Sequence, residues 1–186
     1  VAHKIDMTEA DSGSLHMKKK ILRKQNNSTR CFVCGVTNNS GLHTAFYELE
    51  DGTVAATAMA KSYHQSYPGR VHGGVSTALL DETIGRAIMI TDPDAWGVTV
   101  EISTRYKKPV PYDVPLLVTG RITENKSRLF SGEGRLLLPD GSTAVTATAR
   151  YMKLKLSDIA EFDGDTDLWE QFPQEGDPTE LEIPEE

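Results

Sequence analysis

One segment decides most of what this chain can become. Residues 73–90 form its single long helical pattern, about five turns. The pattern is apolar nearly all the way round, with Val75, Ala78, Leu79, Leu80, Ile84, Ala87 and Ile88 covering several faces. Such a helix needs cover on most of its surface, and the rest of the sequence offers strands to supply it. Residues 42–50 and 53–61 read as two strands joined by the hairpin signal Asp51-Gly52. After the helix come four β-type runs, 96–108, 114–124, 128–138 and 142–155, punctuated by Pro109/Pro111, Asn125-Lys126 and Pro139-Asp140-Gly141. In the first of these Val98, Val100, Ile102, Thr104 and Tyr106 alternate with Thr99, Glu101, Ser103, Arg105 and Lys107, which predicts that the first set lies on a buried face. One helix cannot cover both faces of six strands. The predicted class is α+β, an antiparallel six-stranded sheet wrapped around one long central helix.

A chain of 186 residues with 38% hydrophobic side chains has room for one such domain. The division predicted is a basic flexible arm over 1–30, the domain over 31–156 and an acidic tail over 157–186. The arm's only apolar pair is Ile21-Leu22, which suggests at most a short helix, and residues 12–17 read as a cloning remnant before Met17. The tail is expected to be mostly mobile, with a short helix docked through Trp169. It holds 12 of the 27 acids and no Lys or Arg, so residues 1–156 carry all 20 basic residues against 15 acids. A mildly basic body suits an anionic small ligand and is too thin in charge for nucleic acid; the bland alternative is a solvated surface with a solubilising end. No apolar run approaches the ~20 residues of a membrane-spanning helix, and the start lacks the apolar stretch of a secretory signal. With two cysteines there is no disulfide framework, so the expected setting is cytoplasmic, with no membrane partner.

Two features of the helix bear on chemistry. Its start reads His72-Gly73-Gly74, and the first N–H groups of a helix have no partner within it. Glycines leave those groups uncovered, so an anion or a polarised carbonyl can approach, as in an oxyanion hole. The other feature is Asp81, an acid two and a half turns into an apolar helix, on one stripe with Gly74, Ala78 and Gly85. A buried carboxylate is unfavourable unless it is paired or used, and burial makes it a better base near neutral pH. Pairing with Arg86 or a wet subunit interface is the bland alternative. Glu82 lies about 100° round the helix and is the lesser candidate. Cys31 and Cys34 form a single CxxC. Zinc usually takes four ligands, and no second pair exists, only His43 nearby. A redox pair lacks the surrounding βαβ pattern. A structural role and no bound metal are expected.

Taken together, the strand pair, His72-Gly73-Gly74, an acid nine residues after the His, the four following strands and Cys31-Phe32-Val33-Cys34-Gly35 with Asn38 and Gly41-Leu42 resemble the hotdog-fold acyl-CoA thioesterases, in the phenylacetyl-CoA thioesterase-like (PaaI) branch. The resemblance covers about residues 31–155. It implies a homodimer joined sheet edge to sheet edge, often paired into a tetramer, with active sites between subunits and no cofactor beyond the coenzyme A of the substrate. It implies Asp81 as general base or nucleophile, and Gly73 and Gly74 as N–H donors to the thioester oxygen. Thr99 would help hold the water from across the dimer, and His72 would shape the loop. Where many relatives have an Asn six residues before the motif His this chain has Ser66, with Gln65 and His64 as other candidate donors. Arg70, Arg105, Lys107, Lys108 and Arg128 are the candidate contacts to the phosphates of coenzyme A. The implied activity is hydrolysis of an acyl-CoA thioester. The alternatives are an enoyl-CoA hydratase, which would use a His and an Asp close together, and a non-catalytic acyl-CoA-binding domain.

Overall fold

The computed structural model describes residues 16–159 and 168–185. The helix, α1 (Gly73–Arg86), ends one turn earlier than the pattern predicts and continues as a tighter 3₁₀ turn over Ala87–Ile90. Six strands correspond to the predicted runs: β3 (Ala45–Leu49), β4 (Val54–Ala58), β5 (Trp96–Tyr106), β6 (Leu116–Asn125), β7 (Leu129–Leu137) and β8 (Thr143–Leu154). They lie side by side and antiparallel in the order β3-β4-β6-β7-β8-β5. The β3–β4 turn places Gly52 at φ +80° and the β7–β8 turn places Gly141 at +77°, where glycine carries no Cβ penalty.

The sheet has eight strands, not six. β1 (His16–Lys24) pairs with β3, and β10 (Glu180–Pro184) pairs with β1, extending the sheet beyond β3. So the described part of the arm is a strand where at most a short helix was expected, and the described end of the tail is a strand paired with it. The backbone ladders carry the pairing, and ion pairs add to it. Lys18 meets Glu180 at 2.8 Å, and Lys24 Nζ meets Asp177 and the Phe172 carbonyl, each at 2.8 Å. The acidic tail therefore pairs with Lys18 and Lys24, while Lys19 meets Asp51 and Arg23 meets Glu48. Trp169 does dock, but in a two-residue strand, β9 (Trp169–Glu170), paired with β2 (Asn27–Ser28) rather than in a helix. The rest of the expected arm, residues 1–15, and residues 160–167 of the tail lie outside the described residues.

Close approach of α1 to the sheet depends on three missing side chains. A Cβ at Gly120 would come within 2.9 Å of Ile84 N, one at Gly132 within 2.6 Å of Ile84 Cγ2 and one at Gly134 within 2.9 Å of Ile84 Cγ1. Ile84 thus lies in a glycine trough on β6 and β7, fully buried with Leu79, Leu80 and Ile88. This contact sets the height of the helix above the sheet, and with it the position of Asp81 three residues earlier. Among the described residues no helix is long and apolar enough to cross a membrane.

Candidate active site

The start of α1 is capped by its own preceding residue. His72 stands in an extended conformation, φ −61° and ψ 135°, and its Nδ1 accepts the Gly74 N–H at 2.9 Å. Val75 N–H and Ser76 N–H both donate to the His72 carbonyl. Of the two glycines, therefore, Gly74 has its N–H spoken for, and Gly73 N–H is the first-turn donor with no partner among the described residues. Tyr106 fixes that end: its hydroxyl donates to the Gly73 carbonyl at 2.8 Å and lies 2.7 Å from Thr77 Oγ1. A cavity of about 500 Å³ opens beside it, lined by Phe32, Ser40, Tyr63, Gln65, His72 and Val75 among others.

The structure separates the three candidates for a second donor at this end. His64 is buried and its ring is fully engaged: Nδ1 accepts the Lys61 N–H at 2.9 Å, so Nε2 carries the proton and donates to the Ser40 carbonyl at 2.8 Å. Ser66 is exposed and does not line the cavity, whereas Gln65 is exposed and does.

Asp81 lies eight residues further along. It has no ion pair among the described residues. Arg86, the partner weighed from sequence, instead forks onto Glu82 Oε1 through Nε at 3.1 Å and Nη2 at 2.8 Å. Arg86 is only 4% exposed, stacked at 4.0 Å over Phe46 and 4.8 Å over Trp169. Asp81 keeps two neutral donors. Thr99 Oγ1 donates to Oδ1 at 2.9 Å, and the Tyr151 hydroxyl donates to Oδ1 at 3.1 Å and to the Asp81 carbonyl at 2.9 Å. Burial raises the Asp81 pKa above the ordinary carboxylate value; the hydroxyls of Thr99 and Tyr151 oppose the shift, and the charge of Glu82 adds to it. The same neighbourhood raises the Tyr151 phenol, chiefly by burial and then by the Asp81 charge.

Thr99 reaches Asp81 of its own chain rather than across a dimer, and a bulge is the reason. In the β5–β8 register Thr99 opposes Tyr151 and Glu101 opposes Arg150, so Val100 is an extra residue. The bulge breaks the period-two pattern. Thr99 turns to the helix face, while Val98 and Val100, predicted to be buried, are 38% and 49% exposed. Tyr151 was not singled out from sequence; its place in an alternating strand looks like any other core aromatic.

A cavity of about 300 Å³ opens on Asp81, with Cys31, Glu82, Trp96, Tyr151 and Trp169 among its walls. Trp96 and Trp169 meet at 4.7 Å between ring centroids. Cys31 is the more acidic of the two thiols, lowered to about 7 chiefly by a hydrogen bond from Cys34, while Cys34 is pushed up by the same bond and by burial.

The basic candidates divide between the two ends of the sheet. Arg70 stands beside the helix start, where Val71 N–H donates to the Val110 carbonyl, close in sequence to Lys107 and Lys108. Arg105 and Lys107 line a broad groove on the sheet face away from α1, with Thr146 and Thr148. Arg128 lies at the opposite end, where its carbonyl accepts the Lys153 N–H. Within one chain Arg128 and Lys107 are separated by roughly ten strand residues, about 33 Å.

Comparison with known proteins places this geometry. The family model described as the thioesterase superfamily matches residues 68–145. An acyl-coenzyme A thioesterase of Mus musculus, THEM4, is 25% identical over 138 residues, 74% of this chain and 57% of its own length. The crystal structure of protein RHA08564, a thioesterase superfamily protein, superposes with a TM-score of 0.61 at 32% identity, covering 66% of this chain and 59% of that one. A hypothetical thioesterase of Streptococcus pneumoniae TIGR4, solved with coenzyme A, superposes with a TM-score of 0.55 at 21% identity over 60% of this chain and 89% of that one. The chain thus spans between half and two thirds of the length of the mouse relative and of RHA08564.

Proposed function

We propose that this chain, which the thioesterase superfamily model matches over residues 68–145 and which has the hotdog fold, hydrolyses an acyl-CoA thioester, within the phenylacetyl-CoA thioesterase-like branch. The observation that carries the reading is Asp81: a half-buried carboxylate with a raised pKa, no cation paired with it among the described residues and a cavity in front of it. Such a group accepts a proton from water near neutral pH. Thr99 and Tyr151 hold its oxygens, leaving the ionised form available and aimed. A fold neighbour solved with coenzyme A supports the substrate class.

The carbonyl that this water attacks is held by Gly73 N–H. The two groups cannot serve one thioester within one chain. Eight residues of helix put them about 12 Å apart along the axis, whereas reacting atoms need to stand about 3–3.5 Å apart. A second copy resolves the distance. Among the described residues the sheet has two edge strands, β10 with five residues and β5 with eleven, and Val98, Val100 and Tyr106 are exposed along β5. A long unpaired edge is a template for another strand. Twofold pairing of β5 with β5 of a second copy runs the two helices antiparallel, bringing each Gly73 toward the other copy's Asp81. The same rotation brings Arg128 of one copy to the end that holds Arg70, Lys107 and Lys108 of the other, a basic rim suited to the phosphates of coenzyme A.

The test is complementation. Asp81→Asn and Gly73→Pro chains, each inactive as homodimers, are unfolded, mixed in equal amounts and refolded. Random pairing makes half the dimers mixed, and each mixed dimer has one intact site of two. Recovery of about one quarter of wild-type hydrolysis, roughly as expected for shared sites, supports the reading. No recovery, with dimers present by light scattering, rejects the shared site, and wild-type turnover by the Asp81→Asn homodimer rejects the base.

A further inference from the structure

We propose that Cys31, Cys34 and Glu82 form a binding site for a zinc-class divalent cation that clasps the 31–35 turn to α1. Among the described residues this is the one group of three potential metal ligands gathered in space, with Cys31 Sγ, Cys34 Sγ and a Glu82 oxygen all within 4.8 Å of one another. Glu82 comes from 51 residues after Cys31, with its Oε2 3.7 Å from Cys31 Sγ.

Each part of the cluster is built for a cation. The turn 31–35 curls its backbone onto the first sulfur, with Val33 N–H and Cys34 N–H pointing at Cys31 Sγ at 3.3 and 3.4 Å. Such donors disperse the charge of a metal-bound thiolate. Gly35 N–H closes the turn on the Cys31 carbonyl at 2.9 Å, and a Cβ at Gly35 would collide with that backbone, so only glycine fits there. Glu82 is oriented from behind. Arg86 takes Oε1, which leaves Oε2 facing the sulfurs, and Arg86 is in turn fixed by the Asn26 carbonyl at 2.8 Å. A ligating carboxylate held by a second hydrogen-bonding group is the usual outer arrangement of a metal site.

The charges close. Two thiolates and the carboxylate carry −3, Arg86 carries +1, and a divalent cation brings this partly buried group to zero. Binding displaces the protons that the two thiols still carry and involves no change of oxidation state. Two sulfurs and one carboxylate oxygen suit zinc, which takes thiolate and carboxylate ligands in tetrahedral sites, better than magnesium or calcium, which take oxygen. The fourth position faces the cavity shared with Asp81, where water can complete the tetrahedron. The consequence is mechanical: the cation ties the 31–35 turn to the residue next to the proposed base.

The test uses the full chain, stripped by a chelator and kept reduced with a non-thiol reductant, and titrated with cobalt(II). The expected result is one cobalt per chain, with thiolate-to-cobalt charge-transfer absorption and the strong visible bands of a tetrahedral ion, all abolished by added zinc. Cys31→Ser and Cys34→Ser each weaken the charge-transfer absorption, and the double variant loses it. Glu82→Gln keeps it but weakens binding at least about tenfold. Absence of the absorption in the wild-type chain, its survival at full strength in both single variants, or its survival at all in the double variant overturns the site. A second readout needs no variant: zinc raises the melting temperature of the wild-type chain and a chelator reverses the rise, whereas an unchanged melting temperature at saturating zinc counts against the site. Neither readout depends on hydrolysis, so the site and the thioesterase reading stand or fall separately.

Discussion

Gly73→Pro removes one hydrogen-bond donor and almost nothing else. Proline lacks the N–H that the proposed reaction uses, yet the first helical position tolerates it, because that N–H has no partner in the helix and proline's φ suits the helix. The residue before a proline must be extended, and His72 already is, at φ −61° and ψ 135°. His72 still caps Gly74, and Val75 and Ser76 still donate to the His72 carbonyl. The added ring meets Tyr106, whose hydroxyl lies 3.3 Å from a Cβ built at this position, but Tyr106 is 51% exposed and can turn aside. Should that cost the hydrogen bond to the Gly73 carbonyl, the loss is about 1 kcal/mol, or roughly 2–4 °C in a chain of this size. Loss of one oxyanion donor costs about 2.7–4 kcal/mol in the transition state, a fall in kcat of roughly 10²–10³. The assay is thiol release from a panel of acyl-CoA thioesters, run beside a thermal melt. The expected result is a collapse of kcat with a melting temperature within a few degrees of wild type. Undiminished kcat in a folded variant would refute the helix-start carbonyl site outright.

Three further perturbations follow from the same geometry. Asp81→Asn lowers kcat by at least ~10², since Glu82 is committed to Arg86 and cannot substitute, and it raises stability at neutral pH. The sign follows from the raised pKa: the stability Asp81 contributes is full below the unfolded carboxylate pKa of about 3.9 and is lost as pH rises through the higher folded value, so the Asn variant gains across that window and its advantage vanishes in acid; a melting temperature below wild type at pH 7 would contradict this. Gln65→Ala lowers kcat about tenfold or more, as loss of a polarising hydrogen bond does, while Ser66→Ala leaves it within about twofold; the reverse ranking would return the second donor to Ser66. Gly132→Ala places a methyl 2.6 Å from Ile84 Cγ2 and destabilises by about 1–3 kcal/mol; Ile84→Val in the same chain, which removes a different carbon, Cδ1, relieves little, so chemical denaturation of the double variant shows no substantial rescue.

How much of this was legible beforehand varies by element. The β3–β4 and β7–β8 turns carry their own chemistry in Asp51-Gly52 and Pro139-Asp140-Gly141, and glycine at positive φ is needed in both. Local chemistry of that kind survives folding unchanged. The arm misled because its lysines look solvent-bound in isolation, and their partners Asp177 and Glu180 lie more than 150 residues away. Residues 98–100 misled in a different way: alternation assigns faces only while the register holds, and a single bulge at Val100 reverses the assignment before it while Ile102 and Tyr106 beyond it keep the predicted face.

By itself the sequence determined the class of fold, the helix that fills it, the glycines at the helix start and the acid inside it, because each is written in local period or in a residue out of place. Tertiary structure decided which atoms are free. Gly74 lost its N–H to His72, His64 spent both ring nitrogens on backbone, and Arg86 went to Glu82 rather than Asp81. Each of those outcomes is a competition between partners brought together by packing, and a one-dimensional pattern records the competitors but not their distances.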